Sequence, residues 1–248
     1  MVSIIIPHNN EDTLAKCIES IKKSSYKDVE IIEVCEGKER SEQRNIGAKR
    51  AKGEYLLFLD ADMYIHSELI ADCLDLCEDF PGRDAEGFVE YEGCYDALYI
   101  PEVVVGKGFW IKVRNFERSF YNGTCIDAIR FMRKDKFPGF DENLTGVEDW
   151  DMDRRFKGDK GMASFPIYHV EGEFNLWKYQ RKKAYYTKWM DRYKRLYPKC
   201  KELNFWYRYF GVFWEGGKWK KCLKAPILYL STLFLRLLVG VIYLCRDV

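Results

Sequence analysis

Net charge is nearly absent from this chain: 40 Lys and Arg stand against 39 Asp and Glu over 248 residues. With no excess of one sign, nucleic acid is not indicated as a partner. The nine cysteines are odd in number and contain no Cys-x-x-Cys pair. That pattern speaks against zinc and for reduced thiols in a cytosolic setting rather than a disulfide framework. The opening MVSIIIPHNN lacks a basic leader and predicts no secretory signal, so the sequons at Asn122 and Asn143 carry no weight. Internal repeats and low-complexity tracts are also missing. What is present is 47% hydrophobic and 32% charged residues, enough for one sizeable globular domain with an appendage.

The first hundred residues alternate strand and helix patterns. VSIIIP reads as a strand, after which Asn10 is expected to cap a helix with Leu14, Cys17, Ile18 and Ile21 on one apolar face. VEIIEV is the second strand. Ser41 is expected to cap the helix carrying SEQRNIGAKRAK, with Gly53 as its left-handed stop. YLLFL is the third strand. Near-continuous apolar strands separated by helices predict an α/β fold whose mostly parallel sheet is covered on both faces and binds ligands beyond the carboxyl ends of its strands. From about residue 86 the alternation weakens. EGFVEYE, ALYIP and CIDAIRF read as strands, and VEDWDMDRRF opens a short helix. Nine Lys or Arg residues interleaved with aromatics then occupy a helix over residues 175–199.

Three clusters could carry chemistry. Asp60 and Asp62, separated by Ala61, end the third strand, where two carboxylates pointing the same way would suit Mg²⁺ or Mn²⁺. Glu148, Asp149, Asp151 and Asp153 crowd four acids into six residues. A helix start favours acids in its first turn, but Asp149 and Asp153 repel across one turn unless something pairs with them. A carboxylate facing a cleft there would serve as a general base. Arg44, on the second helix, is placed either on a solvated face or toward an anionic diphosphate.

In order and spacing, VSIIIPHNNEDTLAKCIESI, RNIGAKRAKGEYLLFLDADM and FPGFDENLTGVEDWDMDRRF resemble the family 2 glycosyltransferases of the GT-A fold. The resemblance implies a catalytic unit over residues 1–174, with a nucleotide-binding half to about residue 100 and an acceptor half from 101. It implies inverting transfer of a sugar from a UDP- or GDP-sugar, with Mn²⁺ or Mg²⁺ as cofactor. Asp60 and Asp62 match the metal and diphosphate motif, with Asp62 the direct ligand, and Asp149 beside Glu148 matches the catalytic base. Pro7, Asn9, Glu11 and Ala61 match the donor-facing segments. Where many members have Asp-Asp-Gly, this chain reads Cys35-Glu36-Gly37, leaving Glu36 as a replacement and the base undetermined. His169 is implied as a further metal contact, and Arg114, Glu117, Arg118, Trp150 and Lys182 as acceptor contacts. The Gln-x-x-Arg-Trp motif of processive members is missing, which favours single addition. A nucleotidyltransferase is the competing enzyme reading, but PHNNEDT has no glycine for a phosphate loop; an inactive membrane-bound scaffold is the other alternative.

At the carboxyl end, a segment of spanning length between Lys224 and Arg246 is interrupted by Arg236. Tyr229, Thr232, Arg236, Gly240 and Tyr243 make one polar stripe, which predicts a helix lying in the membrane interface or packed on its own domain. Aromatic residues and Lys218, Lys220 and Lys221 form a belt suited to headgroups. Residues 175–248 are thus expected to hold the protein at the cytoplasmic face of a membrane, near a lipid-linked acceptor.

Overall fold

Strand β1 (Val2–Pro7) is buried along its whole length and has a parallel neighbour on each side, β2 (Val29–Val34) and β3 (Tyr55–Phe58). Its β-branched run suits a strand covered on both faces. Helix α1 (Leu14–Lys22) packs Cys17 and Ile21 with Ile4 and Ile6, while α2 (Arg40–Arg50) packs Ala48 on the other face with Ile5. At Gly47 a Cβ would lie 2.3 Å from an Ile5 methyl carbon, so glycine is what lets α2 sit this close to β1. The computed structural model describes residues 1–78, 82–83, 89–90 and 95–245.

Beyond β3 come β4 (Met63–Ile65), α3 (Leu69–Cys77), the hairpin strands β5 (Gly82–Arg83) and β6 (Val89–Glu90), then β7 (Ala97–Tyr99), β8 (Glu102–Lys107), α4 (Phe109–Arg118) and β9 (Ile129–Arg133). They are followed by α5 (Glu148–Arg155), β10 (Lys160–Met162), β11 (Ile167–Glu173) and α6 (Leu176–Leu196). The main sheet runs β10-β7-β9-β3-β1-β2, and β9 alone among these six is antiparallel to its neighbours. A second sheet, β4-β11-β8, continues from the carboxyl end of β3. The two meet where β3 passes into β4 through Asp60 and Asp62.

The parallel core is as expected, but several boundaries differ. Asn10 has φ 61° and lies in the loop, a conformation unsuited to an N-cap; α1 follows Thr13 instead. Helix α2 begins at Arg40, so Ser41 lies within its first turn. The helix ends at Arg50, and Gly53 serves close passage rather than a left-handed stop: a Cβ there would be 2.7 Å from the Met1 carbonyl oxygen. Of EGFVEYE, Val89–Glu90 is strand and the rest lies outside the described residues. The second sheet is not foreseen by the alternation of the sequence, because β8 pairs with β11 across a long stretch of intervening chain and Pro101 separates β7 from β8.

The carboxyl-terminal part consists of the short turns α7 (Val212–Trp214) and α8 (Trp219–Lys224) and the long helix α9 (Pro226–Cys245). Residues Pro226–Leu244 have a mean hydropathy of 2.1, long and apolar enough to cross a membrane. The polar stripe faces the protein: Thr232 and Arg236 are buried, and Arg236 donates to Glu117 of α4 at 3.1 Å. Ile227, Leu230, Phe234, Leu237, Val241 and Leu244 face outward. Arg246, one bound of the expected segment, lies outside the described residues.

Candidate active site

The DAD segment is a turn, not an extended strand end, since the Met63 N–H donates to the Asp60 carbonyl at 2.9 Å. The two carboxylates therefore diverge. Asp60 enters an arginine cluster, accepting from Arg44 at 2.7 Å with Arg40 and Arg130 each 3.7 Å away. Burial opposes its charge, but Arg44, Arg130 and Arg40 hold the carboxyl well below the usual range. Asp62, with a side chain 38% exposed, instead meets His169 Nε2 of β11 at 3.0 Å. The other ring nitrogen of His169 lies 2.8 Å from Glu102 at the start of β8. Burial disfavours a charged imidazole, yet hydrogen bonds to Asp62 and Glu102 raise it to about 9.

Helix α5 supplies the other side. Arg44 Nη1 donates to Asp149 Oδ1 at 3.0 Å and lies 3.8 Å from Glu148. One arginine, 1% exposed, thus joins the DAD turn to the acidic helix. Glu148 is buried with one oxygen lacking a hydrogen-bond partner, and burial followed by the neighbouring Asp149 charge pushes its carboxyl up. Asp153 belongs elsewhere: Tyr99 and Lys160 hold it, which relieves the repulsion along α5.

Helix α6, capped by the Asn175 side chain, crosses above this pair. At Gly146, with φ 81°, a Cβ would fall 2.5 Å from the Tyr186 ring. Between α6 and the start of α2 lies a cavity of roughly 410 Å³ lined by Arg40, Thr145, Lys178, Arg181, Lys182 and Tyr186. Arg40 donates to the Tyr186 hydroxyl at 2.8 Å, so the basic wall continues into the arginine cluster around Asp60.

The remaining candidates divide. Pro7 ends β1 and Ala61 is buried in the turn. The Asn9 N–H donates to Glu11 at 2.7 Å in an exposed loop. Glu36 is exposed and pairs with Arg50 at 2.8 Å. Lys182 lines the basic cavity. Four residues expected as acceptor contacts have partners within the protein. Arg114 pairs with Glu171 at 3.0 Å, Glu117 with Arg236, and Trp150 packs edge-on to Tyr193. Arg118 pairs with Glu102 and lies 3.5 Å from Asp127. Glu102, Arg130, Arg40 and Tyr186 are unforeseen; Glu102 and Arg130 come from segments that no local motif marks.

Asp62 and His169 fit a divalent cation by chemistry. They present an oxygen and a nitrogen from one spot, and a carboxylate already orients the imidazole. Asp60, expected as a second ligand, points to arginine. Among the described residues, no group of three or more His, Cys, Asp or Glu could hold a metal. The protein would thus provide two ligands, leaving positions for diphosphate oxygens.

Residues 32–137 match the family described as glycosyl transferase family 2, a stretch that includes Arg44, Asp60, Asp62 and Glu102 but stops short of α5. No curated protein sequence matches. Among solved structures, the mannosyltransferase PcManGT from Pyrobaculum calidifontis, in complex with GDP-Man and Mn²⁺, is similar with a TM-score of 0.56 at 12% identity; the match covers 100% of this chain and 88% of that one. TarS of S. aureus gives 0.47 at 17% identity over 76% of this chain and 39% of its own. TarS 1-349 in complex with UDP-GlcNAc gives 0.48 at 17% identity over 75% and 65%. The chain therefore spans less than two thirds of those two structures. Residues 32–137, a little under half of the chain, are thus similar to glycosyl transferase family 2, and the layers built around them share the fold of the mannosyltransferase.

Proposed function

We propose that this protein is an inverting glycosyltransferase that moves a sugar from a nucleotide diphosphate sugar to a lipid-linked acceptor at the cytoplasmic face of a membrane. The observation that carries the reading is the Arg44 bridge, which sets Asp149 of α5 and Asp60 of the DAD turn at one cleft. Pro7, Asn9, Glu11 and Glu36 line the donor side at the carboxyl ends of β1 and β2. Asp62 and His169 would hold Mn²⁺ or Mg²⁺. When bound, the cation supplies Lewis-acid neutralisation of the leaving diphosphate. Arg40 and Arg130, beside Asp60, add positive charge on the same side.

Asp149 is the base. It takes the proton of an acceptor hydroxyl, and Arg44 keeps its carboxylate oriented. Glu148 is buried behind it, where burial and the neighbouring Asp149 charge push its carboxyl up. If the acceptor nucleophile is a phosphate, Asp149 positions rather than deprotonates it. The basic cavity under α6 suits such a phosphate, through Lys178, Arg181 and Lys182.

Support for the membrane comes from the outer face of α9, an unbroken apolar stripe from Ile227 to Leu244. Trp206, Phe210, Trp214 and Trp219 are exposed before it, and Lys220, Lys221 and Lys224 lie exposed at its amino end. That combination matches an anionic headgroup layer. A thermal-shift panel of UDP-, GDP- and dTDP-sugars with Mn²⁺, each repeated with chelator, tests the donor reading. Stabilisation by one nucleotide class that disappears with chelator is expected; indifference to every donor would overturn it.

A further inference from the structure

Glu102 belongs to none of the motifs discussed so far, yet it is among the most constrained acids in the molecule. It is 8% exposed and opens β8, whose backbone pairs Glu102 with Ile167 of β11. His169 lies two residues further along β11, so both side chains stand on the same face of the small sheet. One Glu102 oxygen is 2.8 Å from His169 Nδ1. The other takes Arg118 of α4 and lies 3.4 Å from Arg130 of β9. Arg118 and Arg130 thus fix the carboxylate, and the carboxylate fixes the ring.

We infer that Glu102 is a positioning residue for the metal: its carboxylate holds the proton on His169 Nδ1, so that Nε2 is presented toward the cation beside Asp62. The inference rests on the metal reading of Asp62 and His169. An imidazole whose remote nitrogen donates to a carboxylate has its tautomer and ring plane set and its ligating nitrogen made more basic. Asp62 meets the other side at 3.0 Å, so the ring bridges two carboxylates. A cation beside Asp62 would be met by Nε2, and Glu102 would keep its contact with Nδ1. The arrangement separates two tasks on neighbouring strands: β11 brings the ligand, and β8 brings the group that aims it.

The test is Mn²⁺ binding in the presence of UDP or GDP, read by electron paramagnetic resonance, with spin-echo modulation from a coordinated imidazole nitrogen as the signature. His169→Gln serves as the blank. Wild-type protein is expected to show the nitrogen modulation. Glu102→Ala is expected to weaken Mn²⁺ binding by about 10- to 100-fold and to lose the modulation. Glu102→Gln keeps the shape and can still accept from Nδ1, but lacks the charge. It is the informative variant if Glu102→Ala, which strands Arg118 and Arg130, does not fold, and it is expected near the lower end of that range. Full-strength modulation and wild-type Mn²⁺ affinity in a folded Glu102 variant would overturn the inference. Wild-type Mn²⁺ binding without any nitrogen modulation would also overturn it, while leaving the metal on Asp62. No Mn²⁺ binding by wild type with either nucleotide would overturn the metal reading itself.

Discussion

The Arg44 guanidinium joins two carboxylates, one from the DAD turn and one from α5, 2.7 Å from Asp60 Oδ1 and 3.0 Å from Asp149 Oδ1. Because the arginine is buried, removing it leaves acids without compensation. Arg44→Ala is expected to cost roughly 3–5 kcal/mol of stability, the range for breaking a buried pair from one side. Arg44→Lys should recover part of this but not the simultaneous reach to both acids. Urea unfolding of the two variants is the check, and a loss under about 1 kcal/mol for Arg44→Ala would show the bridge to be incidental.

The two acids themselves should separate by function. Asp149→Asn is expected to keep donor and metal binding and to lose about 10²- to 10⁴-fold in transfer to a hydroxyl acceptor. Asp62→Ala should instead abolish the chelator-sensitive part of donor binding. Isothermal titration with donor and Mn²⁺, beside single-turnover transfer, distinguishes them; equal donor affinity in wild type and Asp62→Ala would remove Asp62 from the metal.

Much of this arrangement can be read from the residues alone, and the divide has a physical basis. The parallel core is legible because β1 is a continuous apolar run and α1 repeats apolar residues at helical spacing. Asp60, Asp62 and Asp149 are legible because acids at strand and helix ends are locally conspicuous. The divergence of Asp60 from Asp62 is not, since one backbone hydrogen bond from Met63 turns the segment. Glu102 and Arg130 are hidden for another reason: their meaning depends on strands brought together across long sequence separations. Trp150 is a residue whose surroundings are likewise not legible. An aromatic beside a catalytic acid suggests an acceptor platform, but on α5 it points toward Tyr193 of α6.

Stability of the metal-free protein should depend on pH through His169. The ring is raised from its ordinary 6.5 to about 9, so its contribution is complete below 6.5 and is lost as pH climbs through about 9. With chelator present, the Tm difference between wild type and His169→Gln is expected to be largest near pH 6 and to close above about pH 9.5. A difference that stays constant across this window would mean that the ring is not held by Asp62 and Glu102 as a cation.

Helix α9 offers a test that does not involve catalysis. Leu230 and Leu237 are exposed, so replacing both by lysine leaves the packed stripe of Thr232 and Arg236 untouched. The double variant is expected to keep its Tm and to lose about 10-fold or more in binding to vesicles of phosphatidylcholine and phosphatidylglycerol. Wild-type protein that ignores the vesicles but sediments as a dimer, with the variant monomeric, would assign the stripe to a second copy of the chain instead.

Gly146 leaves α6 no clearance over the residues that lead into α5. A single methyl group there would meet the Tyr186 ring, and Tyr186 is bonded to Arg40 below it. The headroom of the basic cavity is therefore governed at one backbone position, far smaller than the side chains that line it. A side chain at that point must displace Tyr186, and with it the contact to Arg40 that joins the slot to the arginine cluster.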